Sequence, residues 1–367
     1  MPAASTIRLR KWWFTVHKWL GILLALLVVP VSLSGAALVW HDWLDERVNP
    51  QRHAASGPAA LPVSAYAEAA RRVLQPNERL ATVAFSEHGP VTVTALSPPP
   101  GGGARPARTQ VWLDPADVRV IERAGGNEGL VRTLHILHGS LMVPGFGRQL
   151  VGWVGVAMLV SALTGLWLWW PARGGVRRGL RWRRQNRVTA NLHHMAGFWI
   201  AIPLAMLSFT GVWISFPGVF GGASAPPAAA RAGPPRPLDQ TRLTPDAALA
   251  AARPHGTGAL VSVAWPTDRA PAWTLSFRRA GGNAEVKVDD RSGAVTPPPA
   301  VRPETTSRTM RRWHDGTGMG PVWQTIIFLG GLIPALLAVT GITMWLRTRG
   351  WRRDKARRLE ERERGAA

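Results

Sequence analysis

The apolar residues of this chain fall in long blocks rather than at regular helical or strand spacing. Leu20 to Trp40, Leu150 to Trp170, Met195 to Phe216 and Val322 to Trp345 are each predominantly apolar and carry no Lys, Arg, Asp or Glu. Each reaches the length of about 20 residues that a helix needs to cross a hydrocarbon core. No Asp or Glu lies inside any of them, so four transmembrane helices are expected. Between the blocks the pattern changes. Ala81 to Leu96 and Thr109 to Leu113 have the β-branched character of strands, and Val63 to Leu74 reads as a helix. Beyond an Ala/Pro/Gly tract after Gly218, a helix is expected over Thr244 to Ala252, with strands over Ala259 to Trp265, Ala272 to Phe277 and Ala284 to Val288. The fold class is thus an α-helical membrane protein with two small α+β lobes in its long loops.

Charge fixes the orientation. Lys and Arg number 44 against 22 Asp and Glu, an excess that would suggest nucleic acid if it formed a patch on a soluble fold. Its placement follows the apolar blocks instead. Arg8, Arg10, Lys11 and Lys18 precede or open the first block, and Arg173, Arg177, Arg178, Arg181, Arg183, Arg184 and Arg187 fill the short link between the second and third. A basic tail from Arg347 follows the fourth. By the positive-inside rule these segments are cytoplasmic and both lobes face the other side. The expected order is a cytoplasmic N-terminus (1–11), helix one (12–40), an outer lobe (41–131), and a His-bearing outer segment running into helix two (132–170). An Arg-rich cytoplasmic loop (171–192), helix three (193–217) and a second outer lobe (218–312) come next. A second His segment with helix four (313–346) and the tail (347–367) complete it. The lipid bilayer is an expected partner and nucleic acid is not. The first block is long and has an equivalent deep in the chain, so it reads as a retained helix rather than a cleaved signal.

The blocks are related by a fixed offset. His17-Lys-Trp-Leu-Gly21 recurs as His193-His-Met-Ala-Gly197, and 193 − 17 = 176. Gly35 maps on Gly211, Thr164-Gly165 on Thr340-Gly341, and His138 on His314, again at 176. Asp114 and Asp289, in similar phrases near the ends of the two lobes, differ by 175. The chain therefore reads as two parallel repeats of two helices and one lobe each. His17 and His193 then share one depth in the membrane, and His138 and His314 share another.

Ionisable side chains near membrane depth are costly, and matched pairs of them point to function. One imidazole from each of two helices is what a six-coordinate b-type haem needs. The absence of cysteine excludes thiolate-held clusters and covalently attached c-type haem, and leaves His as the metal ligand. Interfacial histidines satisfied by headgroups, a transition-metal site and a proton pathway are the alternatives. A proton- or cation-coupled cycle lacks the buried carboxylate it ordinarily uses. Gly21 and Gly197 follow the first pair by one turn, where a porphyrin could approach the backbone. His135 and His194 neighbour repeated histidines and could substitute for them, and His41 lies near the depth of His138. Arg148, Arg312 and Arg132 lie near the second pair in sequence, where a cation could meet a propionate or simply anchor at the interface.

The phrases Val16-His-Lys-Trp-Leu-Gly21, Leu137-His-Gly-Ser140, Leu192-His-His-Met-Ala-Gly197 and Trp313-His-Asp-Gly316 resemble those of the PepSY-associated transmembrane family. The family's members are described as iron-regulated inner-membrane proteins or siderophore reductases. The resemblance implies a bacterial inner-membrane protein with cytoplasmic termini, periplasmic PepSY-like lobes and two b-type haems, one on His17 and His193 and one on His138 and His314. It implies an enzyme that reduces a ferric siderophore or other ferric chelate, with no catalytic residue named beyond the ligands. No G-x-G-x-x-G unit links a strand to a helix, so a quinol or a cytoplasmic reductase would supply the electrons. A non-catalytic PepSY regulator and a metal or siderophore permease remain as alternatives.

Overall fold

The computed structural model describes residues 4–87, 89–98, 106–126, 128–170, 177, 180, 187–220, 235–279, 282–298 and 305–365, with 4–5, 352–360 and 362–365 described by backbone alone. Most of the Arg-rich loop, and the Ala/Pro/Gly tract after Gly218, lie outside the described residues. In chain order the principal helices are α1 (Ala4–Leu38), α2 (His41–Val48), α3 (Val63–Arg71), α4 (Leu130–Ser140), α5 (Gly147–Trp169), α6 (Val188–Ser215), α7 (Pro245–Ala252), α8 (Thr306–Asp315) and α9 (Gly320–Gly365). The strands are β1 (Arg79–Ala84), β2 (Val91–Ser97), β3 (Ala107–Leu113), β4 (Val120–Gly125), β5 (Leu260–Ala264), β6 (Ala272–Arg279), β7 (Gly282–Asp289) and β8 (Val295–Thr296). Two compact units result: Met1–His41, Leu134–Ser224 and Glu304–Ala367 form one, Asp42–Thr133 and Ala225–Pro303 the other.

The first unit is helical. Four stretches are long and apolar enough to cross a membrane: Thr6–Leu38, Gly147–Trp169, Val188–Ser215 and Gly320–Trp351. They contain the apolar blocks except for one or two residues at three of the ends, and reach beyond them, furthest at the start of the first, at Thr6. The chain is a membrane protein. The helix stops are local chemistry. Pro171 and Pro217 disfavour helical backbone at the residue before them, and Trp170 and Phe216 leave the helix at ψ 124° and 62°. The helices run unbroken through Pro30, Pro203 and Pro334. Arg10 donates to the terminal carbonyls of α5, at 2.6 Å to Leu168 and 2.7 Å to Trp170, where a helix end leaves acceptors unpaired.

α1 packs on α5 and α9, and α6 packs on the same two, so α1 and α6 stand at diagonal corners of a four-helix ring. Small residues bring the helices together. A methyl group at Gly331 of α9 would lie 2.6 Å from the carbonyl oxygen of Ser32 on α1, so the two backbones meet there only because the residue is glycine. The segments ahead of the second and fourth spans contain helices that the periodicity did not suggest, α4 and α8. Thr305 caps α8 by accepting from the Arg308 amide, and Gly316 ends it with a left-handed φ of 76°.

The second unit corrects the expectation of two separate lobes. Its strands form one eight-stranded antiparallel sheet in the order β4-β3-β2-β1-β5-β6-β7-β8. The join is β1 against β5, pairing Thr82 with Ala264, Val83 with Val263 and Ala84 with Ser262. Either half alone would present β1 or β5 as an open edge, and pairing them satisfies both rows of amides and carbonyls. The alternation of buried residues along β2, β3, β6 and β7 puts Val91, Val93, Val111, Leu275, Phe277, Val286 and Val288 into one core with Tyr66 of α3 and Ala248 of α7. Asp246 of α7 accepts from the Val63 amide of α3 at 2.7 Å, so the second half caps the first half's helix. The edge strand β4 escaped the periodicity because Glu122 and Arg123 lie in its middle, as charged residues do on edges.

Two buried carboxylates tie chain entry to sheet. Asp114 accepts from the Ser56 amide (3.0 Å), the Ser56 hydroxyl (2.6 Å) and the Ala116 amide. Asp290 accepts from the amides of Arg242 and Leu243 and from the Trp273 indole at 2.9 Å. The sequence match of Asp114 to Asp289 holds for the turn backbone, where Val118 and Gly293 donate to the carbonyls of Asp114 and Asp289. By side-chain role the partner of Asp114 is Asp290, and 290 − 114 = 176.

Asp290→Ala leaves two amides and an indole without an acceptor and is expected to destabilise the detergent-solubilised chain by about 2–4 kcal/mol in chemical unfolding. Asp289→Ala, at a turn, should cost far less. The Ser56 hydroxyl, helped by backbone amides and Arg119, holds the Asp114 carboxyl below its usual range. A depressed carboxylate stabilises the fold fully above its unfolded pKa of about 4 and loses that contribution as pH falls through the folded value. Asp114→Asn should therefore flatten the acid limb of the stability profile while lowering stability at pH 7.

Candidate functional site

The helical unit gathers histidines from four helices into two facing pairs. His17 of α1 and His193 of α6 sit at the diagonal corners of the ring, with ring centroids 6.4 Å apart. His138 of α4 and His314 of α8 face one another at 6.0 Å. All four rings are partly buried.

Each ring is held by its Nδ1 atom. His17 Nδ1 lies 3.1 Å from the Ser161 carbonyl and 3.1 Å from the Thr164 hydroxyl of α5. His193 Nδ1 lies 2.9 Å from the Thr340 hydroxyl of α9, beside a bond with the Leu337 backbone. His138 Nδ1 meets the Val31 carbonyl of α1 at 2.9 Å. His314 Nδ1 meets the Leu207 carbonyl at 3.1 Å and the Thr210 hydroxyl at 3.0 Å, both on α6. A carbonyl can only accept, so Nδ1 carries the proton in each ring and Nε2 is left as the bare acceptor. No described residue hydrogen-bonds any of the four Nε2 atoms. The anchors are paired as the histidines are: 337 − 161, 340 − 164 and 207 − 31 all equal 176.

Glycines make room for the rings. A methyl at Gly35 would lie 2.6 Å from Cε1 of His138, one at Gly165 or Gly211 would lie 3.1 Å from Cε1 of His17 or His314, and one at Gly341 3.5 Å from Cε1 of His193. Gly35 and Gly165 thus have a packing duty toward one ring each, and their repeat partners have the same duty toward the other. Gly21 and Gly197, expected near the first pair, differ. A methyl at Gly21 would meet nothing within 4 Å, and one at Gly197 only Leu337 at 3.9 Å.

Each pair brings one imidazole from each of two helices to a centroid separation of 6.4 or 6.0 Å. Among the described residues no group of three or more His, Cys, Asp or Glu is placed to hold a metal ion. Two protein ligands are too few for a bare ion of the usual kind but suffice where a porphyrin supplies the other four nitrogens. The residues therefore fit haem iron. Burial, and then the charge of the facing His138, pushes His314 down to about 4, and burial lowers His138 as well. Both are neutral at pH 7, as a ligand must be.

The remaining histidines sort by these criteria. His41 and His135 form a third facing pair at 6.2 Å, but both are exposed, and Nδ1 of His41 lies 3.0 Å from the Leu38 carbonyl of its own chain turn. His194 follows His193 but points about 100° away around α6. His53 bonds Asp45 at 3.0 Å, and His88 lies outside the described residues. Arg148 donates to the Ile214 carbonyl at the end of α6. Thr164 and Thr340, mere register markers in the sequence, are the hydroxyl partners of the rings, and Thr210 joins them. The offset itself was the signal that could have found them.

No curated protein matches the chain. Residues 14–348 match the family model described as the PepSY-associated TM region, a range that includes all four paired histidines and their anchors, and the chain belongs to that family.

Proposed function

We propose that this is a bacterial inner-membrane electron-transfer protein whose two histidine pairs each hold a b-type haem, and that it reduces ferric siderophores or other ferric chelates at the periplasmic face. The observation that carries the reading is the pair of matched facings at 6.4 and 6.0 Å, each with Nδ1 anchored and Nε2 bare. Haem b held by His17 with His193 and by His138 with His314 would supply one-electron transfer there. The chain's own part is orientation. Carbonyls and hydroxyls on a neighbouring helix fix each imidazole's tautomer and plane. The glycines beside the rings set how closely the helices approach.

The flanking charge supports cytoplasmic termini and periplasmic loops, and the common offset of histidines and anchors supports two parallel repeats. Pairs at two depths then form a relay across the bilayer. The overall reaction takes one electron from a quinol or a cytoplasmic reductase and gives it to the ferric chelate, which releases the more weakly held ferrous ion. Ferric chelate as acceptor rests on the likeness of the histidine phrases to those of siderophore reductases. The permease alternative is disfavoured by helices that run unbroken through all three prolines.

The reading is tested by a dithionite-reduced minus air-oxidised spectrum of the purified protein with haem quantified per chain. A b-type signal of about two haems is expected, with His17→Ala, His193→Ala, His138→Ala and His314→Ala each removing about one and His41→Ala and His135→Ala removing none. Colourless protein from haem-replete cells would overturn it. Thr340→Val should retain haem but weaken its binding about 10–100-fold and move one midpoint potential, because it removes the hydroxyl anchor of His193 and not the ligand. Haem titration and a redox titration read these separately.

A further inference from the structure

Apart from the histidine rings, the helical unit has a cavity of about 260 Å³ where the start of α5, the end of α6 and the first turns of α8 meet. Its polar lining is Arg148, Arg308, Arg311 and Ser307, and its apolar wall is formed by Trp213, Ile214 and Pro217. Three guanidiniums share one small space, and among the described residues none of them forms an ion pair with a carboxylate. Arg308 and Arg311 stand three residues apart on one helix, a like-charge spacing that costs stability unless an anion lies between them. Arg148 spends one donor on the Ile214 carbonyl and keeps others. The lining also contains a polar atom without a partner: the Trp213 indole N–H is buried and unbonded, its ring fixed by stacking on Phe220 at 4.8 Å. A buried unpaired donor is costly, and a ligand acceptor would satisfy it.

The position selects the ligand. Arg148 is the second residue of one span, and Trp213 to Pro217 straddle the end of another, so the cavity lies at the depth where hydrocarbon gives way to headgroups. Val219 beside it is 75% exposed, extending the apolar wall outward. A free oxyanion would use only the arginine side, whereas a phospholipid uses both. We infer that this cavity binds an anionic membrane phospholipid, its phosphodiester oxygens taken by Arg148, Arg308 and Arg311 and its glycerol and first acyl carbons laid against Trp213, Ile214 and Pro217. The cavity is below the size of ordinary small-molecule pockets, which suits a headgroup whose chains remain in the bilayer.

The test is native mass spectrometry of the full chain, delipidated in mild detergent and offered phosphatidylglycerol, phosphatidylcholine or inorganic phosphate. Phosphatidylglycerol should be retained about tenfold better than phosphatidylcholine, and Arg308→Gln and Arg311→Gln should each weaken retention about fivefold. Arg349→Gln, in the basic end of α9, should leave it unchanged. Arg148→Gln serves as the second variant should the α8 substitutions unfold the protein, and a rise in melting temperature with added phosphatidylglycerol, lost in the variants, is the independent readout. Equal retention of both lipids, unchanged retention in the variants, or protection by millimolar inorganic phosphate equal to that by lipid would each overturn the inference, the last by marking a site for free oxyanions.

Discussion

Everything distinctive in the helical unit depends on one bond type, the imidazole Nδ1–H donated to a backbone carbonyl of a neighbouring membrane helix. That carbonyl ordinarily belongs to the helix's own ladder and is shared with it here. Ser161 and Leu207 accept at 3.1 Å and Val31 at 2.9 Å. Threonine hydroxyls make three of the four sites stronger. Thr164, Thr210 and Thr340 each donate back into their own helix and so present a lone pair to the ring. The rings on the diagonal helices α1 and α6 are thus each steered by a neighbouring helix. A ring free to rotate would present either nitrogen, whereas a ring held at Nδ1 presents Nε2.

The sheet unit solves a different problem with the same economy of duplication. Each half supplies four strands and one helix to the shared core, too little to close a core around Tyr66 or Trp273 alone. Pairing β1 with β5 and capping α3 with Asp246 make one core from two. Asp114 and Asp290 then fasten the incoming chain in each half, the first through Ser56 and the second through Arg242 and Leu243. Without cysteine no disulfide can do this, so buried carboxylates bonded to backbone amides take the load.

Much of this was legible in the sequence. Block length predicts the four spans because hydrocarbon thickness is a hard constraint, and the offset predicts which histidines correspond because equivalent residues recur. What the sequence could not carry were relations that need a third element. Thr164 is an ordinary threonine in an apolar helix until the ring of His17 is placed against it. The α4 and α8 helices are short, polar on one side and flanked by glycine, so their periodicity is too brief to separate from loop. The fusion of the two lobes depends on which edge meets which, and strand composition does not encode this.

The third pair, His41 with His135, sharpens what makes a site. Its centroid distance of 6.2 Å would pass a test of separation alone. It differs in exposure and in anchoring, since Nδ1 of His41 bonds the carbonyl three residues back in its own chain, a contact that any helix end provides. Separation records that two rings are near. A carbonyl or hydroxyl on a second helix, together with a glycine that admits the ring, records that the protein has constrained both rings to remain there. His17 with His193 and His138 with His314 have both, and those pairs carry the functional proposal.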